Sequence, residues 1–187
     1  MRVIAGEYKG RRLKPVPGDN TRPTTDKVKE SLFNIIGPYF DGGWCLDLFA
    51  GSGGLAIEAV SRGMEHAVLS EKNRKAVQVI RENIEVTKEK ERFTVLFGDS
   101  RKNVEKFAQE HAGQTFQMVF IDPPYQAEKT ESDIQLLLAH QVVDEETVFV
   151  CEMDKYHELP DQIGPYQKRK RAVYGTIAIE IFEGMGE

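Results

Sequence analysis

The sequence from residue 44 to residue 54 is Trp44-Cys45-Leu46-Asp47-Leu48-Phe49-Ala50-Gly51-Ser52-Gly53-Gly54. Its apolar beginning, residues 44–48, predicts a buried strand, and the apolar residues 55–60 that follow predict a helix. Glycines between a strand and a helix let the backbone turn tightly and approach a ligand closely. This unit therefore predicts a nucleotide-binding crevice at the carboxyl end of a parallel sheet.

Strand-like and helix-like segments continue to alternate after this unit. Further strands are predicted at residues 67–71, 93–97, 118–121 and 147–151, with helices between them. Such alternation with short connections indicates right-handed βαβ units. Residues 166–171 and 176–182 flank Tyr174-Gly175 without a helix and predict an antiparallel pair at one edge. The expected fold is α/β and Rossmann-like: a mostly parallel seven-stranded sheet with a C-terminal antiparallel pair and helices on both faces.

An N-terminal extension precedes this core. Residues 1–14 alternate loosely around two glycines, as in a small hairpin. A helix is then expected after Arg22-Pro23-Thr24-Thr25-Asp26, with a Thr or Asp as its cap, and Gly37-Pro38 ends it. We expect one domain over residues 1–187, in which the extension, residues 1–42, packs on a core of residues 43–187.

Composition narrows the class of protein. The chain has 187 residues, of which 40% are hydrophobic and 29% are charged, as in ordinary globular domains. No apolar run approaches the roughly 20 residues that span a bilayer, and no signal peptide is evident, so we expect a cytoplasmic protein. The cysteines are predicted to be buried and the histidines lack metal-ligand spacing, so no metal is expected. We expect a monomer.

Charge is distributed unevenly along the chain. Residues 1–30 contain eight Lys or Arg and four acids, a net charge of +4, whereas the whole chain carries −5. A basic arm on an acidic body indicates a local contact with a polyanion. The basic cluster Lys168-Arg169-Lys170-Arg171 has an equally simple interpretation, a solvated face or protected edge of a strand.

The turn with glycines between the first strand and the first helix, residues 49–54, is the glycine turn, and it is compatible with two cofactors. Gly51-x-Gly53-x-x-Ala56 fits the dinucleotide fingerprint, and Glu71 follows Gly51 by 20 residues, where a ribose-binding acid is expected. Asp47 favours S-adenosylmethionine, because a carboxylate attracts the ammonium of a methionine moiety and repels a pyrophosphate. An Asp that merely closes the turn is the alternative. Asp99 after the third strand suits an adenine contact or a simple helix cap.

A second motif follows the fourth predicted strand. Asp122-Pro123-Pro124-Tyr125 ends this strand, because the two prolines supply no N–H donors. The turn offers a carboxylate, proline carbonyls and an aromatic ring, which together suit a planar base that bears an exocyclic amine. A strand-ending turn with a capping Asp is the alternative.

These motifs occur in the order that they have in class I S-adenosylmethionine-dependent methyltransferases. Over nearly its whole length the chain resembles the bacterial RsmD family, which methylates guanine N2 in 16S ribosomal RNA. The resemblance includes R-V-I-A-G-E-Y-K-G-R-R-L at residues 2–13, R-P-T-T-D-K-V-K-E-S-L-F-N-I-I at residues 22–36 and Y-G-T-I-A-I-E-I-F at residues 174–182. R-P-T-T-D is the family-specific part, since D-P-P-Y also occurs in DNA amino-methyltransferases.

The resemblance implies a role for each motif. The S-adenosylmethionine site would consist of Asp47, Phe49, Gly51, Gly53, Glu71, Asp99 and Ser100. The catalytic site, which holds the target base, would consist of Asp122, Pro123, Pro124 and Tyr125. Contacts with the substrate RNA would come from Arg11, Arg12, Arg22 and Thr24. The partner would be 16S ribosomal RNA, either naked or within a partly assembled small subunit.

Three other functions remain open at this point. A DNA adenine-N6 or cytosine-N4 methyltransferase would share the D-P-P-Y chemistry, but the 62 residues after Tyr125 leave little room for a target-recognition domain. An NAD-dependent oxidoreductase would fit the glycines but would explain neither Asp47 nor D-P-P-Y. A non-catalytic RNA-binding module would leave the acids and glycines without a role.

Overall fold

The computed structural model describes residues 1–18, 24–124 and 129–186. Its α-helices are α1 (Asp26–Ile36), α2 (Gly54–Ser61), α3 (Arg74–Thr87), α4 (Ser100–Glu110) and α5 (Thr130–Ala139), and Lys90–Arg92 form one 3-10 turn. Its strands are β1 (Trp44–Asp47), β2 (His66–Glu71), β3 (Phe93–Phe97), β4 (Met118–Ile121), β5 (Val148–Asp154), β6 (Gln162–Ile163), β7 (Tyr166–Tyr174) and β8 (Ile177–Gly184).

The strands form a single sheet in the order β3-β2-β1-β4-β5-β8-β7-β6. Strands β1 to β5 pair in parallel, whereas β8 pairs antiparallel with both β5 and β7. The predicted mostly parallel sheet with its C-terminal antiparallel pair is therefore confirmed. The eighth strand, β6, was not predicted, because two residues are too short to show a pattern. The strand order reverses between β1 and β4, and a crevice at such a point is where α/β sheets bind ligands.

Helices cover both faces of the sheet, as the alternating pattern predicts. Ile57 of α2 and Ile80 of α3 are buried in the hydrophobic cluster on one face. Phe107 of α4 and Leu137 of α5 are buried in the cluster on the other face. All four residues of β4 are buried, which accounts for its continuously apolar sequence. Both cysteines are buried, as expected, and both are free thiols.

The N-terminal extension begins with the expected hairpin. Val3 N–H donates to the carbonyl of Arg11 at 2.9 Å, and Gly10 N–H donates to the carbonyl of Val3 at 2.8 Å. The hairpin contains one isolated β-bridge rather than two regular strands. In the helix that follows, the Thr25 hydroxyl accepts the Val28 N–H at 3.2 Å, so of the two expected residue types a Thr is the cap.

A buried ion group joins the extension to the core. The fully buried Glu58 of α2 forms ion pairs with Lys29 Nζ, at 3.2 Å, and with Arg62 Nε, at 2.7 Å. Its carboxylate also accepts the backbone N–H groups of Ile4, at 2.9 Å, and Ala5, at 3.1 Å. Lys29 is one of the basic residues of the N-terminal arm that predict a contact with a polyanion. In the structure its side chain is buried and pairs with Glu58, so its charge stabilises the fold.

The C-terminal antiparallel pair of strands, β7 and β8, contains a similar buried ion group. Glu180 of β8 is fully buried, and its carboxylate pairs with Lys168 Nζ at 3.2 Å and with the guanidinium of Arg171. Glu180 also accepts the N–H of Leu159 at 3.1 Å. Two members of the C-terminal basic cluster thus neutralise a buried acid, a role that neither a solvated face nor an edge guard describes.

Candidate active site

Asp47 lies at the carboxyl end of β1, beside the point where the strand order reverses. It is 2% exposed, and the backbone N–H of Phe49 donates to its carboxylate. Its Oδ1 has no hydrogen-bond partner among the residues that the structure describes. Burial, followed by the nearby charge of Glu71, raises the pKa of Asp47 to about 7. A buried acid with an unsatisfied oxygen is suited to bind a cation.

The two glycines of the turn serve different purposes. Both have positive φ, 57° at Gly51 and 84° at Gly53, where Gly53 precedes helix α2. A Cβ at Gly53 would lie 3.2 Å from Leu69 Cδ2, so this glycine lets the turn pack closely on the sheet. A Cβ at Gly51 would have no described atom within 4 Å. Gly51 therefore leaves space for a ligand in front of the turn.

Glu71, at the end of β2, connects neighbouring turns. Its Oε1 accepts the N–H of Gly51 at 2.9 Å, and its Oε2 accepts the N–H of Asn73 at 2.8 Å. Its own carbonyl accepts the N–H of Gly98 at 2.9 Å, which ties in the turn after β3. Each carboxylate oxygen has a second lone pair, so Glu71 can still accept hydroxyl groups from a ligand.

The turn after β3 places Asp99 and Ser100 at the start of α4. Asp99 is exposed and caps this helix, since its Oδ1 accepts the Arg101 N–H at 2.9 Å. The buried Asn103 supports the turn by donating to Ser70 Oγ at 2.9 Å and to the carbonyl of Gly98 at 3.1 Å. Asn103 is not predicted from the sequence, because a helical Asn gives no distinctive signal.

The second motif follows β4 directly. Asp122 and Pro123 are partly buried and Pro124 is exposed, while Tyr125 lies outside the described residues. Burial, followed by the charges of Glu152 and Asp47, raises the pKa of Asp122 well above its usual range. The parallel pairing of β1 and β4 places the acids at their carboxyl ends close enough to interact, as expected for neighbouring parallel strands.

Glu152 of β5 is a site residue that the sequence analysis missed. Its carboxyl is in hydrogen-bond contact with the carboxyl of Asp122 and with the hydroxyl of Thr24. A signal was present: Glu152 directly follows the apolar run predicted as the fifth strand, just as Asp122 directly follows the fourth. Paired carboxyls of this kind share a proton.

The residues expected to contact RNA are distributed over two regions. Arg11 donates to the carbonyls of Thr87, at 2.9 Å, and Val86, at 3.2 Å, at the carboxyl end of α3, so it has a structural role. Arg12 is exposed and Arg22 lies outside the described residues. Thr24 contacts Glu152 and so lies near the turn after β4. We call this turn, residues 122–124, the acceptor turn, because it offers a carboxyl and proline carbonyls as hydrogen-bond acceptors.

The extension also contacts the glycine turn. Asn83 of α3 donates to the carbonyl of Ser52 at 2.8 Å and to that of Lys14 at 2.9 Å, and it accepts the Lys14 N–H at 2.8 Å. One described end of the segment between Lys14 and Thr24 thus lies near the glycine turn, and the other lies at the acceptor turn.

The described ranges are residues 1–18, 24–124 and 129–186. They contain no group of three or more His, Cys, Asp and Glu side chains arranged to hold a metal ion. None of the helices found there combines the length and the apolar character that crossing a membrane requires.

Comparisons with known proteins agree with the fold. A family model described as "Conserved hypothetical protein 95" matches residues 1–183. YlbH of Bacillus subtilis (strain 168) is 43% identical over 186 residues, which cover 100% of both chains. Ribosomal RNA small subunit methyltransferase D of Escherichia coli (strain K12) is 33% identical over 193 residues, covering 100% of this chain and 92% of that protein.

A solved structure gives the same result. The structure of yhhF from Escherichia coli is similar with a TM-score of 0.83 and 32% identity, covering 100% of this chain and 99% of the other. The family model and these relatives span essentially the whole chain, including all three turns described above. The chain belongs to the ribosomal RNA small subunit methyltransferase D (RsmD) family and has the class I methyltransferase fold.

Proposed function

We propose that this chain uses S-adenosylmethionine to methylate the exocyclic N2 amine of a guanine in 16S ribosomal RNA. The observation that carries the proposal is the proximity of two turns at one crevice. The turn after β1 has a buried acid with an unsatisfied oxygen, Asp47, and the turn after β4 has the acceptor-rich sequence Asp122-Pro123-Pro124. One turn suits a cationic cofactor, and the other suits an amine on a planar base.

The first turn would hold the methionine end of the cofactor. Asp47 would bind the ammonium group, which would satisfy its Oδ1. Gly51 and Gly53 would let the backbone approach the ligand, and Phe49 would lie beside it. When bound, S-adenosylmethionine supplies a methyl group on a positively charged sulfonium.

The two neighbouring turns would hold the adenosine. Glu71 would accept the ribose hydroxyls with the lone pairs that Gly51 and Asn73 leave available. Asp99 and Ser100 would contact the adenine, and the exposed carboxylate of Asp99 would accept its exocyclic amine. Asn103 would keep this turn in place through Ser70 and Gly98.

The turn after β4 would position the target base. The lone pair of guanine N2 is delocalised into the ring, so this amine is a poor nucleophile. Hydrogen bonds from N2–H to the carboxyl of Asp122 and the carbonyl of Pro123 would favour a pyramidal amine and stabilise its developing charge. The proton that the methylated amine releases leaves to solvent after transfer, so the turn needs no strong base. Pro124 would keep the turn rigid, and Tyr125 would stack on a base turned out of its helix.

The RNA would lie across the N-terminal extension. Arg12 is exposed, and with Arg22 it would bind phosphates, whereas Arg11 would act mainly through the position of the hairpin. Thr24 would mark the boundary between this surface and the acceptor turn. We propose a monomer in the cytoplasm, with 16S ribosomal RNA, naked or in a partly assembled small subunit, as its partner.

A labelled-methyl assay tests the proposed function. Naked 16S ribosomal RNA and 30S particles from cells that lack this protein are incubated with the chain and methyl-labelled S-adenosylmethionine. The RNA is then digested and its nucleosides are identified by mass spectrometry. The proposal expects N2-methylguanosine with the unchanged protein and about 1,000-fold slower transfer with Asp122→Ala, which removes the carboxyl that accepts the amine N–H.

Other results would contradict the proposal. Label in N6-methyladenine or N4-methylcytosine of a DNA substrate would indicate a DNA amino-methyltransferase. Binding of NADH in preference to S-adenosylhomocysteine, measured as a thermal shift, would indicate an oxidoreductase. Absence of label from every RNA, with intact cofactor binding, would indicate an RNA-binding module.

A further inference from the structure

Glu152 has no role in the reaction proposed above. It lies on β5, where Cys151 pairs in register with Ile121, so Glu152 and Asp122 are the next residues on adjacent parallel strands. Glu152 is partly buried, as Asp122 is. Its side chain therefore borders the same crevice as the acceptor turn, one strand farther from the glycine turn.

The contacts of Glu152 join two parts of the chain. Its carboxyl receives the hydroxyl of Thr24 from the N-terminal extension and contacts the carboxyl of Asp122. Two carboxyls can form a hydrogen bond only if one of them is protonated, so Asp122 O–H donates to an ionised Glu152 when the pair holds one proton. The second oxygen of Asp122 then remains able to accept an amine N–H.

The other charged groups that face this pair are acids as well. Asp47 of β1 acts on Asp122, and Glu152 acts in turn on Asp47. Within the described residues, burial and these neighbouring acids all favour retention of a proton, and burial raises the pKa of Glu152. The contact with the Asp122 carboxyl, followed by the contact with the Thr24 hydroxyl, favours the ionised form of Glu152.

We propose that Glu152 is a positioning residue for methyl transfer. It orients the Asp122 carboxyl toward the acceptor amine, and it links that orientation to the N-terminal extension through Thr24. The inference rests on the proposed function and adds a specific consequence to it. RNA that binds the extension near Thr24 changes the environment of Glu152 and so affects the rate of transfer as well as the affinity.

Three variants test the link, with kcat, KM for RNA and the Kd for S-adenosylhomocysteine measured for each. Glu152→Ala leaves Asp122 without its partner, and kcat should fall by about 100-fold, as small misplacements of a reacting group do. Glu152→Gln keeps a donor for Asp122 and an acceptor for Thr24, so its kcat should stay within about tenfold of the parent value. Thr24→Val removes one charge-assisted hydrogen bond and should lower kcat by about tenfold. The Kd should rise by less than about threefold in all three, since none of these residues belongs to the proposed cofactor site and loss of the Glu152 charge only favours the ionised form of Asp47.

Two comparisons separate positioning from general stability. Glu105→Ala, which removes an exposed acid of α4, is the matched control and should change none of these constants. The double variant Thr24→Val/Glu152→Ala should lose no more activity than Glu152→Ala alone, because the two residues act through one contact. Additive losses in the double variant would overturn the link to the extension. An unchanged kcat in Glu152→Ala, or an equal loss of cofactor affinity, would overturn the positioning role.

A titration that needs no RNA keeps this inference separate from the proposed function. The Asp122 carboxyl is followed by carbon-13 NMR in the intact protein, and Glu152→Gln should lower its pKa because the neighbouring charge is gone. An unchanged titration would overturn the contact itself. If the unchanged protein methylates no RNA but the titration shifts as expected, the proposed function fails and the Asp122–Glu152 pair stands.

Discussion

The carboxylate of Glu71 accepts the backbone N–H of Gly51 at 2.9 Å, so the acid at the end of β2 fixes the glycine turn that follows β1. The same carboxylate also accepts the N–H of Asn73 at 2.8 Å. One side chain thus holds two of the loops that border the crevice. Its role in the proposed cofactor site therefore has two parts, direct contact with a ribose and maintenance of the turn beside it.

The first prediction separates these two parts. Glu71→Gln keeps one acceptor oxygen for Gly51 but lacks the charge and the second acceptor, so we expect the Kd for S-adenosylhomocysteine to rise by about tenfold. Glu71→Ala removes both the ribose contact and the hydrogen bond to Gly51. Its Kd should rise by about 100-fold or more, since charge-assisted hydrogen bonds contribute about 1.5–3 kcal/mol each. Isothermal titration calorimetry measures both values. Equal Kd values for Glu71→Ala and the unchanged protein would contradict the assignment.

The second prediction concerns pH and Asp47. The pKa of this acid is raised from 3.8 to about 7 in the folded protein. Between these values the folded protein retains a proton that the unfolded chain has released, so stability falls as pH rises through this window. Asp47→Asn removes this loss and should stabilise the free protein by roughly 2–4 kcal/mol at pH 8.

Thermal unfolding measured from pH 4 to pH 8 checks this prediction. The Tm difference between Asp47→Asn and the unchanged protein should be small at pH 4 and largest above pH 7. The same variant should bind S-adenosylhomocysteine at least about tenfold more weakly, because an amide does not neutralise an ammonium. A lower Tm for Asp47→Asn at pH 8 would show that this acid mainly closes the turn.

The third prediction concerns the buried ion group between the extension and the core. Glu58→Gln leaves Lys29 and Arg62 buried without their counter-charge, which should reduce the free energy of unfolding by about 3–5 kcal/mol. Urea unfolding followed by circular dichroism measures the change. Glu82→Gln, which breaks the exposed ion pair with Lys14, is the control and should cost less than about 1 kcal/mol.

The same experiment tests whether residues 1–187 form one domain. We propose that the extension, residues 1–42, unfolds together with the core, because Glu58 binds Lys29 and the backbone of Ile4 and Ala5. Limited proteolysis and circular dichroism should then report one transition in the unchanged protein. Cleavage within residues 1–42 at urea concentrations where the core remains folded would show two independent units.

The fourth prediction distinguishes two adjacent arginines. Arg12→Ala should weaken RNA binding and reduce the slope of log K against log salt by about 1, with little change in Tm. Arg11→Ala should lower the Tm, because Arg11 binds the last carbonyls of α3, and should change the salt slope less. Fluorescence anisotropy at several salt concentrations and a thermal melt provide the measurements. The opposite pattern would place Arg11 on the RNA surface.

Much of the fold follows from short-range patterns. The apolar run before Asp122 and the glycines after Asp47 predict their strands and turns, because burial and backbone conformation act over a few residues. The C-terminal strands β7 and β8 extend past the predicted ranges, by residues 172–174 and 183–184, because these residues pair with each other's strand across the sheet. The strand β6 is too short for any pattern.

The local sequence of this chain was sufficient to place Asp47, Glu71, Asp99 and Asp122 at the carboxyl ends of four parallel strands, because strand ends and turns depend on neighbouring residues. Folding in three dimensions was needed to bring Glu152 to Asp122, Thr24 to Glu152 and Lys29 to Glu58. These partners are distant along the chain, and their contacts depend on strand order and on the docking of the extension. An acid that pairs with another acid, or a lysine that becomes buried, is recognised only when the groups around it are known.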